Sequence, residues 1–186
     1  GNMSIMFPMI TSLRELQDAK AVLEECRAEL TAEGVKMGQN IEVGTMIETP
    51  AAVLIADELA KTGLCMAVGP SLGHATKVEV RNKSWQTPGI LSRAGCHVSI
   101  ITDCTVIPQQ YLPLCAGMAV CAGMDPFEAL RAITINPAEH IGVADRVGSI
   151  EEGKDADIVL TDGNPFEVST CVHRVLISGK TVYSAE

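Results

Sequence analysis

Ile41-Glu-Val-Gly-Thr-Met-Ile-Glu-Thr-Pro-Ala-Ala-Val-Leu-Ile-Ala-Asp-Glu-Leu-Ala-Lys-Thr-Gly-Leu-Cys-Met-Ala-Val68 reads as strand, helix and strand in succession. Ile41 to Glu48 is a short apolar run of strand length. Thr49 stands at an N-cap position, and Pro50 carries the fixed φ that suits a first helical turn. The helix is predicted to run to about Thr62, with Gly63 just past its end, before Leu64 to Val68 resumes as a strand. Strands joined through a helix pair in parallel, so this stretch announces an α/β fold.

The same unit repeats on both sides. Upstream, Ser4 to Ile10 is an apolar strand, Ser12 and Glu15 make a capping box, and Leu13, Leu16, Ala19, Leu23, Cys26 and Leu30 recur at helical spacing up to Gly34. Downstream, Gly69 to Gly73 opens a long polar loop, Pro88 to Ala94 is a short helix ended by Gly95, and His97 to Thr102 is a fourth strand. Helices follow at about Gln109 to Ala122, Pro126 to Thr134 and Pro137 to Ile141, the last two with Asp125 and Asn136 as capping residues. After Gly142 the character changes. Asp157 to Thr161 and Arg174 to Ser178 read as short strands, with turn signals at Glu152-Gly153-Lys154, Asp162-Gly163-Asn164 and Ser178-Gly179-Lys180. The expected fold class is α/β: half of a (β/α)8 barrel, with four parallel β–α units over residues 1–142, and a short C-terminal β tail over 143–186.

Bulk properties narrow the classes of function. The 186 residues are too few for a whole eight-stranded barrel, which takes about 200 at minimum. With 47% hydrophobic but only 3% aromatic residues, the core is expected to be Ile, Val, Leu, Ala and Met. A net charge of −9 argues against nucleic acid or an anionic membrane as partner, and Lys77 to Lys83 reads as a solvated basic loop. The seven cysteines form no CxxC pair, so they read as reduced thiols of a cytoplasmic protein. No apolar run reaches about 18 residues and no leader is visible, which predicts neither membrane spanning nor secretion. The opening Gly1-Asn2, followed almost at once by an apolar run, reads as a fragment boundary.

Ser4-Ile-Met-Phe-Pro-Met-Ile-Thr-Ser12 and Ile41-Glu-Val-Gly-Thr-Met-Ile-Glu-Thr-Pro-Ala-Ala52 resemble the phosphoenolpyruvate-binding barrel of enzyme I of the bacterial sugar phosphotransferase system; pyruvate phosphate dikinase is similar. The resemblance, over residues 1–60, implies that Glu48 is a magnesium ligand at the carboxyl end of its strand. Where that family carries Gly-Thr-Asn-Asp, this chain has Val68-Gly-Pro-Ser-Leu72, and the family's catalytic cysteine and phosphorylated histidine have no counterpart.

A second resemblance begins there. Gly69-Pro-Ser-Leu-Gly73, Lys77-Val-Glu-Val-Arg-Asn-Lys-Ser84, Thr87-Pro-Gly-Ile-Leu91, Ile101-Thr-Asp-Cys-Thr-Val-Ile-Pro108, Ala132-Ile-Thr-Ile-Asn-Pro-Ala138 and Gly148-Ser-Ile-Glu-Glu-Gly-Lys-Asp-Ala-Asp-Ile-Val159 are similar to the C-terminal half of an imidazolonepropionase-like amidohydrolase. That resemblance covers about 54–186, and Leu54 to Ala60 fits both families, so the crossover is expected there. Such a join is what laboratory fragment recombination produces, although a natural accident gives the same sequence. The tail then corresponds to part of a sandwich whose other strands come from the family's N-terminus.

The amidohydrolase resemblance makes Asp103 the catalytic aspartate, which binds the metal and takes a proton from the attacking water. The metal there is zinc in the parent family, and it lowers the pKa of bound water toward neutrality. The partner histidines of that family, a His-x-His pair and two single ones, are absent, and Cys104 stands where His is common. Glu48 and Asp103 close alternate expected strands at the carboxyl end, where two carboxylates plus water could hold Mg2+ or Mn2+ weakly. Otherwise no cofactor is expected. Of His74, His97, His140 and His173, only His74 falls in a loop near that face, and a lone loop histidine is more often solvated.

The expected function is therefore that of a non-catalytic chimeric fragment which folds and self-associates as a homodimer or higher homo-oligomer. Two open strand edges and an apolar inner face drive the association, ideally closing a barrel from two copies. The alternatives are a metal-dependent amidohydrolase of cyclic amide or C–N bonds, and a phosphoenolpyruvate-utilising barrel fragment.

Overall fold

The computed structural model describes residues 3–38, 41–72 and 78–185. Its first part alternates strands and helices: β1 (Ser4–Phe7), α1 (Leu13–Ala32), β2 (Glu42–Ile47), α2 (Pro50–Leu54), α3 (Ala56–Ala60), β3 (Cys65–Val68), α4 (Thr87–Arg93) and β4 (His97–Ile100). The four strands form one parallel sheet in the order β1-β2-β3-β4. Then come α5 (Leu112–Cys121), α6 (Pro126–Arg131) and α7 (Ile135–His140), and a separate antiparallel sheet of β5 (Ile158–Thr161), β6 (Val172–Ile177) and β7 (Lys180–Ser184). The mixed α/β class, the four parallel strands and the β tail thus agree with the sequence reading.

Register and the two-residue period of a strand sort the parallel sheet into two faces. Thr45, Ile47, Met66, Val68, Val98 and Ile100 share one face and are all buried. They pack with Leu16, Ala52, Leu59, Leu91, Cys115, Ala116 and Ala119 into the hydrophobic core. The opposite face carries Ser4, Met6, Glu42, Gly44, Met46, Cys65, Ala67, His97 and Ser99. The expectation of an apolar inner face is corrected here: that face is mostly small or polar, with only the two methionines as large apolar groups.

The expectation of two open edges also needs correction. On the outer side of β4, the Ile100 amide donates to the Ala132 carbonyl at 2.9 Å, and Asn136 Nδ2 donates to the Val98 carbonyl at 2.7 Å. Asn136 is buried inside α7 rather than capping it. A strand carbonyl without a ladder partner is a stronger claim on that amide group than a local helix cap, because leaving it unpaired and buried costs about 1–3 kcal/mol. The edge of β1 has no such cover among the described residues.

Other local signals hold in part. Ser12 and Glu15 form the capping box at the start of α1, and Asp125 caps α6 through the amides of Phe127 and Glu128. The helix expected from Pro50 to about Thr62 is two short helices broken at Ile55, within the stretch where both resemblances overlap. Thr49 occupies the N-cap position but makes no capping bond; its hydroxyl donates to the Ile10 carbonyl at 2.8 Å, tying the exit of β1 to that of β2. The tail has one strand more than expected. Ser178 and Gly179 both have positive φ, as a two-residue hairpin turn requires, and β7 follows them directly.

Candidate functional site

The carboxyl end of the sheet holds the two carboxylates singled out from the sequence, in unlike settings. Glu48 follows β2 on the inner-face parity, is half-buried, and accepts the Met9 amide at 3.3 Å. It lines a small cleft with Thr49, Gly69, Ser71, Lys83 and Ser84, and Lys83 Nζ donates to the Pro70 carbonyl at 2.9 Å. Asp103 is exposed and outside that cleft. The strand before it ends at Ile100, and Asp103 itself has φ 51°, so strand alternation cannot be carried forward to orient its side chain. His74 and Lys77 lie outside the described residues.

The amino end assembles a different group. Cys65 opens β3 and His97 opens β4, and the parallel register sets them side by side. His140, the last residue of α7, reaches the same face. Cys65 Sγ lies 3.9 Å from His97 Nδ1, and His140 Nε2 lies 3.2 Å from the same atom. One potential ligand atom from each of the three residues falls within 4.8 Å of the other two. The remaining ring nitrogens are also engaged: His97 Nε2 with Glu139 Oε2 at 2.8 Å, and His140 Nδ1 with Ser99 Oγ at 2.7 Å. The Cys65 thiol donates to Glu42 Oε1 at 3.1 Å.

The electrostatics follow from this crowding. Burial, reinforced by the bond to the Glu42 carboxylate, pushes the Cys65 thiol up to about 12. Burial, and next the neighbouring His97 ring, pulls His140 down to about 4. The imidazole of His140 therefore stays neutral in the folded metal-free chain while an unfolded chain takes up a proton near 6.5. A depressed pKa gives stability that is present above 6.5 and lost as pH falls through the folded value. We expect the melting temperature of the metal-free protein to decline between about pH 6.5 and pH 4, and His140→Asn to flatten that decline. An unchanged slope in the variant would remove His140 as its source.

Sequence reading passed over His97 and His140 because 32 and 43 residues separate the interacting partners. A signal was nevertheless present. Gly63 and Gly95 end successive helices with positive φ, and Cys65 and His97 each stand two residues later. Equivalent strand starts in a parallel sheet are neighbours, so the pairing could have been read from that spacing. His140 could not, since its place depends on how α7 folds back over β4.

Among proteins of known sequence, the family described as PEP-utilising enzyme, PEP-binding domain, matches residues 1–70. The phosphoenolpyruvate-protein phosphotransferase of Enterococcus faecalis is 46% identical over 69 residues, 37% of this chain and 12% of that protein. That of Geobacillus stearothermophilus is 30% identical over 191 aligned residues, 94% of this chain and 32% of that protein. The higher identities belong to the shorter matches, and the chain spans a third or less of these curated relatives. Among solved structures, an amidohydrolase from Thermotoga maritima superposes with a TM-score of 0.72 at 25% identity, covering 91% of this chain and 54% of that one. Since 91% of 186 residues is about 169, the likeness extends beyond the 142 residues before the tail. An adenosine deaminase from Xanthomonas campestris with bound zinc shares the fold, with a TM-score of 0.56 at 20% identity over 96% of this chain and 45% of that one. The chain is thus phosphoenolpyruvate-utilising in likeness over residues 1–70 and amidohydrolase-like in the structures it resembles, as a chimera of those two families is.

Proposed function

We propose that this chain is a non-catalytic half barrel, with residues 1–60 from an enzyme I-like parent and 61–142 from an amidohydrolase-like one, followed by a small β tail over 143–186. Its activity is association with a second copy of itself. The observation that carries this reading is the outer edge of β1. Ser4–Phe7 pairs with β2 on one side and with no other strand among the described residues, while Met6 is 50% exposed. Unpaired amides and carbonyls on an edge are a template for another chain.

The opposite edge is already engaged at Val98 and Ile100, which disfavours closing a ring through β4. Two copies meet β1 to β1 instead, antiparallel about a two-fold axis. Exposed Val159, Ile177, Val182 and Tyr183 on the tail strands add a second apolar surface. The carboxyl face supports the non-catalytic part, since Glu48 is bonded to the Met9 amide and Asp103 stands outside the Glu48 cleft. Met6→Lys places like charges across the two-fold and is expected to raise the dimer dissociation constant at least about tenfold in sedimentation velocity. Wild-type association in that variant would remove β1 as the interface.

A second reading, favoured by the likeness to the Thermotoga maritima amidohydrolase and by Asp103 following β4, is a metal-dependent hydrolase of cyclic amide or C–N bonds. It requires a divalent ion, Mg2+, Mn2+ or the zinc of that parent family, held at Glu48 and Asp103.

A further inference from the structure

We propose that Cys65, His97 and His140 form a binding site for a divalent transition metal of the zinc type, at the amino end of the sheet and away from both parental active-site positions. Tetrahedral zinc has bonds of about 2.3 Å to sulfur and about 2.0–2.1 Å to nitrogen, which set ligand-to-ligand edges of about 3.6 Å for S···N and about 3.3 Å for N···N. The edges found are 3.9 Å between Cys65 Sγ and His97 Nδ1 and 3.2 Å between His97 Nδ1 and His140 Nε2. Two of the three edges therefore stand close to the spacing a metal imposes, and one ligand atom from each residue falls within 4.8 Å of the other two.

The surroundings of the donors fit as well. A ligating histidine is oriented by a hydrogen bond from its other ring nitrogen. His97 has Glu139 in that role and His140 has Ser99. Without metal, one proton must lie between His97 Nδ1 and His140 Nε2, since two lone pairs at 3.2 Å repel. The Ser99 hydroxyl then donates to His140 Nδ1, and His140 Nε2 donates to His97. With metal, His140 keeps its proton on Nδ1 and donates that N–H to Ser99 Oγ in a hydrogen bond, which leaves Nε2 free for the ion. Ser99 serves both states because a hydroxyl both donates and accepts. Metal binding releases the thiol proton of Cys65 to solvent, as ligation of a thiol requires. A water takes the fourth position, since the Glu42 carboxylate accepts from the thiol but does not join the three donors within 4.8 Å of one another.

A soft thiolate with two imidazoles selects zinc, cobalt or copper over magnesium and manganese. His97 and His140 belong to the amidohydrolase-like segment and Cys65 falls within residues 1–70, which match the PEP-binding family, so the site straddles the join. It does not depend on the self-association reading and survives that reading's failure.

The test is a Co2+ titration of the reduced, full chain, followed by visible absorption. The expected result is a single equivalent with strong tetrahedral bands and a thiolate-to-cobalt charge-transfer band, displaced by Zn2+ and unaffected by excess Mg2+. Cys65→Ser is expected to lose the charge-transfer band, and His97→Gln to weaken binding at least about a hundredfold. Ser99→Ala and Glu139→Gln, positioning residues, are expected to weaken it by about 10–100-fold. Circular dichroism of each variant separates loss of binding from loss of fold, and Ser99→Ala, the smallest change, keeps the test open if His97→Gln does not fold. A charge-transfer band retained by Cys65→Ser would place the metal on another of the cysteines and overturn the proposal. Binding that survives Cys65→Ser but is lost in Glu48→Ala would overturn it in favour of the carboxyl-end site.

Discussion

Gly69→Ala is expected to be the most damaging single change in this chain, lowering the melting temperature by about 8–16 °C or preventing folding. Gly69 leaves β3 with φ +145°, a conformation costing a residue with a side chain about 1–3 kcal/mol. A methyl group there would sit 2.2 Å from the Ile101 carbonyl oxygen. That oxygen has little room to retreat, because the Ile101 amide bonds to the Val68 carbonyl and the Ile100 amide to the Ala132 carbonyl. Overpacking against fixed backbone adds about 1–3 kcal/mol. Together about 4 kcal/mol is lost, a large part of a typical domain's 5–15, and each kcal/mol moves the midpoint about 2–4 °C at this size. Thermal unfolding followed by far-ultraviolet circular dichroism checks it; a midpoint within about 2 °C of the parent would mean the turn after β3 is not held as described.

The second large effect concerns the contact between the tail and the helices of the first part. Gly117 lies within α5, and a Cβ on it would meet the Phe166 carbonyl oxygen at 2.6 Å and the Phe166 Cβ at 3.3 Å. Alanine raises helix propensity over glycine by about 1 kcal/mol, so an exposed Gly117 would gain from the change. Here the overpacking cost of about 1–3 kcal/mol opposes that gain, and the contacting group is backbone, which cannot rotate away. The loop carrying Phe166 can yield more easily than α5, so the expected outcome of Gly117→Ala is partial release of the tail rather than unfolding. Each 1.4 kcal/mol lost from that contact raises the opened population about tenfold, and proteolysis tracks that population. Limited proteolysis is therefore expected to cut Gly117→Ala within about residues 143–157 several-fold to tenfold faster than the parent. Equal rates would mean the tail does not dock on α5 through Phe166.

The pattern of the fold was legible where local chemistry and tertiary structure agree. Ser12 with Glu15, and Asp125 before Pro126, mark helix starts that the structure keeps. Strand centres were readable from apolar runs, and their ends ran on: the fourth strand stops at Ile100, where its amide turns to the Ala132 carbonyl outside the sheet, not at Thr102. Asn136 misled because its local meaning, a cap before proline, lost to a distant carbonyl. β7 was missed despite its turn, since Lys180–Ser184 is short, exposed along its whole length and shows no buried face.

Site residues divide the same way. Glu48 and Asp103 were legible from the resemblances because each lies in a continuous motif, yet only Glu48 lines the cleft at the carboxyl end. The cluster of Cys65, His97 and His140 has no motif at all. Two of its members follow from strand register, and the third depends on α7 closing over β4, a tertiary event without a local signature.

The central claim is that an enzyme I-like front and an amidohydrolase-like back share one four-stranded sheet whose β1 edge is covered by a second copy. Light scattering of the reduced, metal-free chain tests it most directly. A mass of about 39 kDa, twice the 19.7 kDa of one chain, is the predicted result. A mass of 19.7 kDa at every concentration measured would contradict it, leaving the edge of β1 solvated and the chain a monomer.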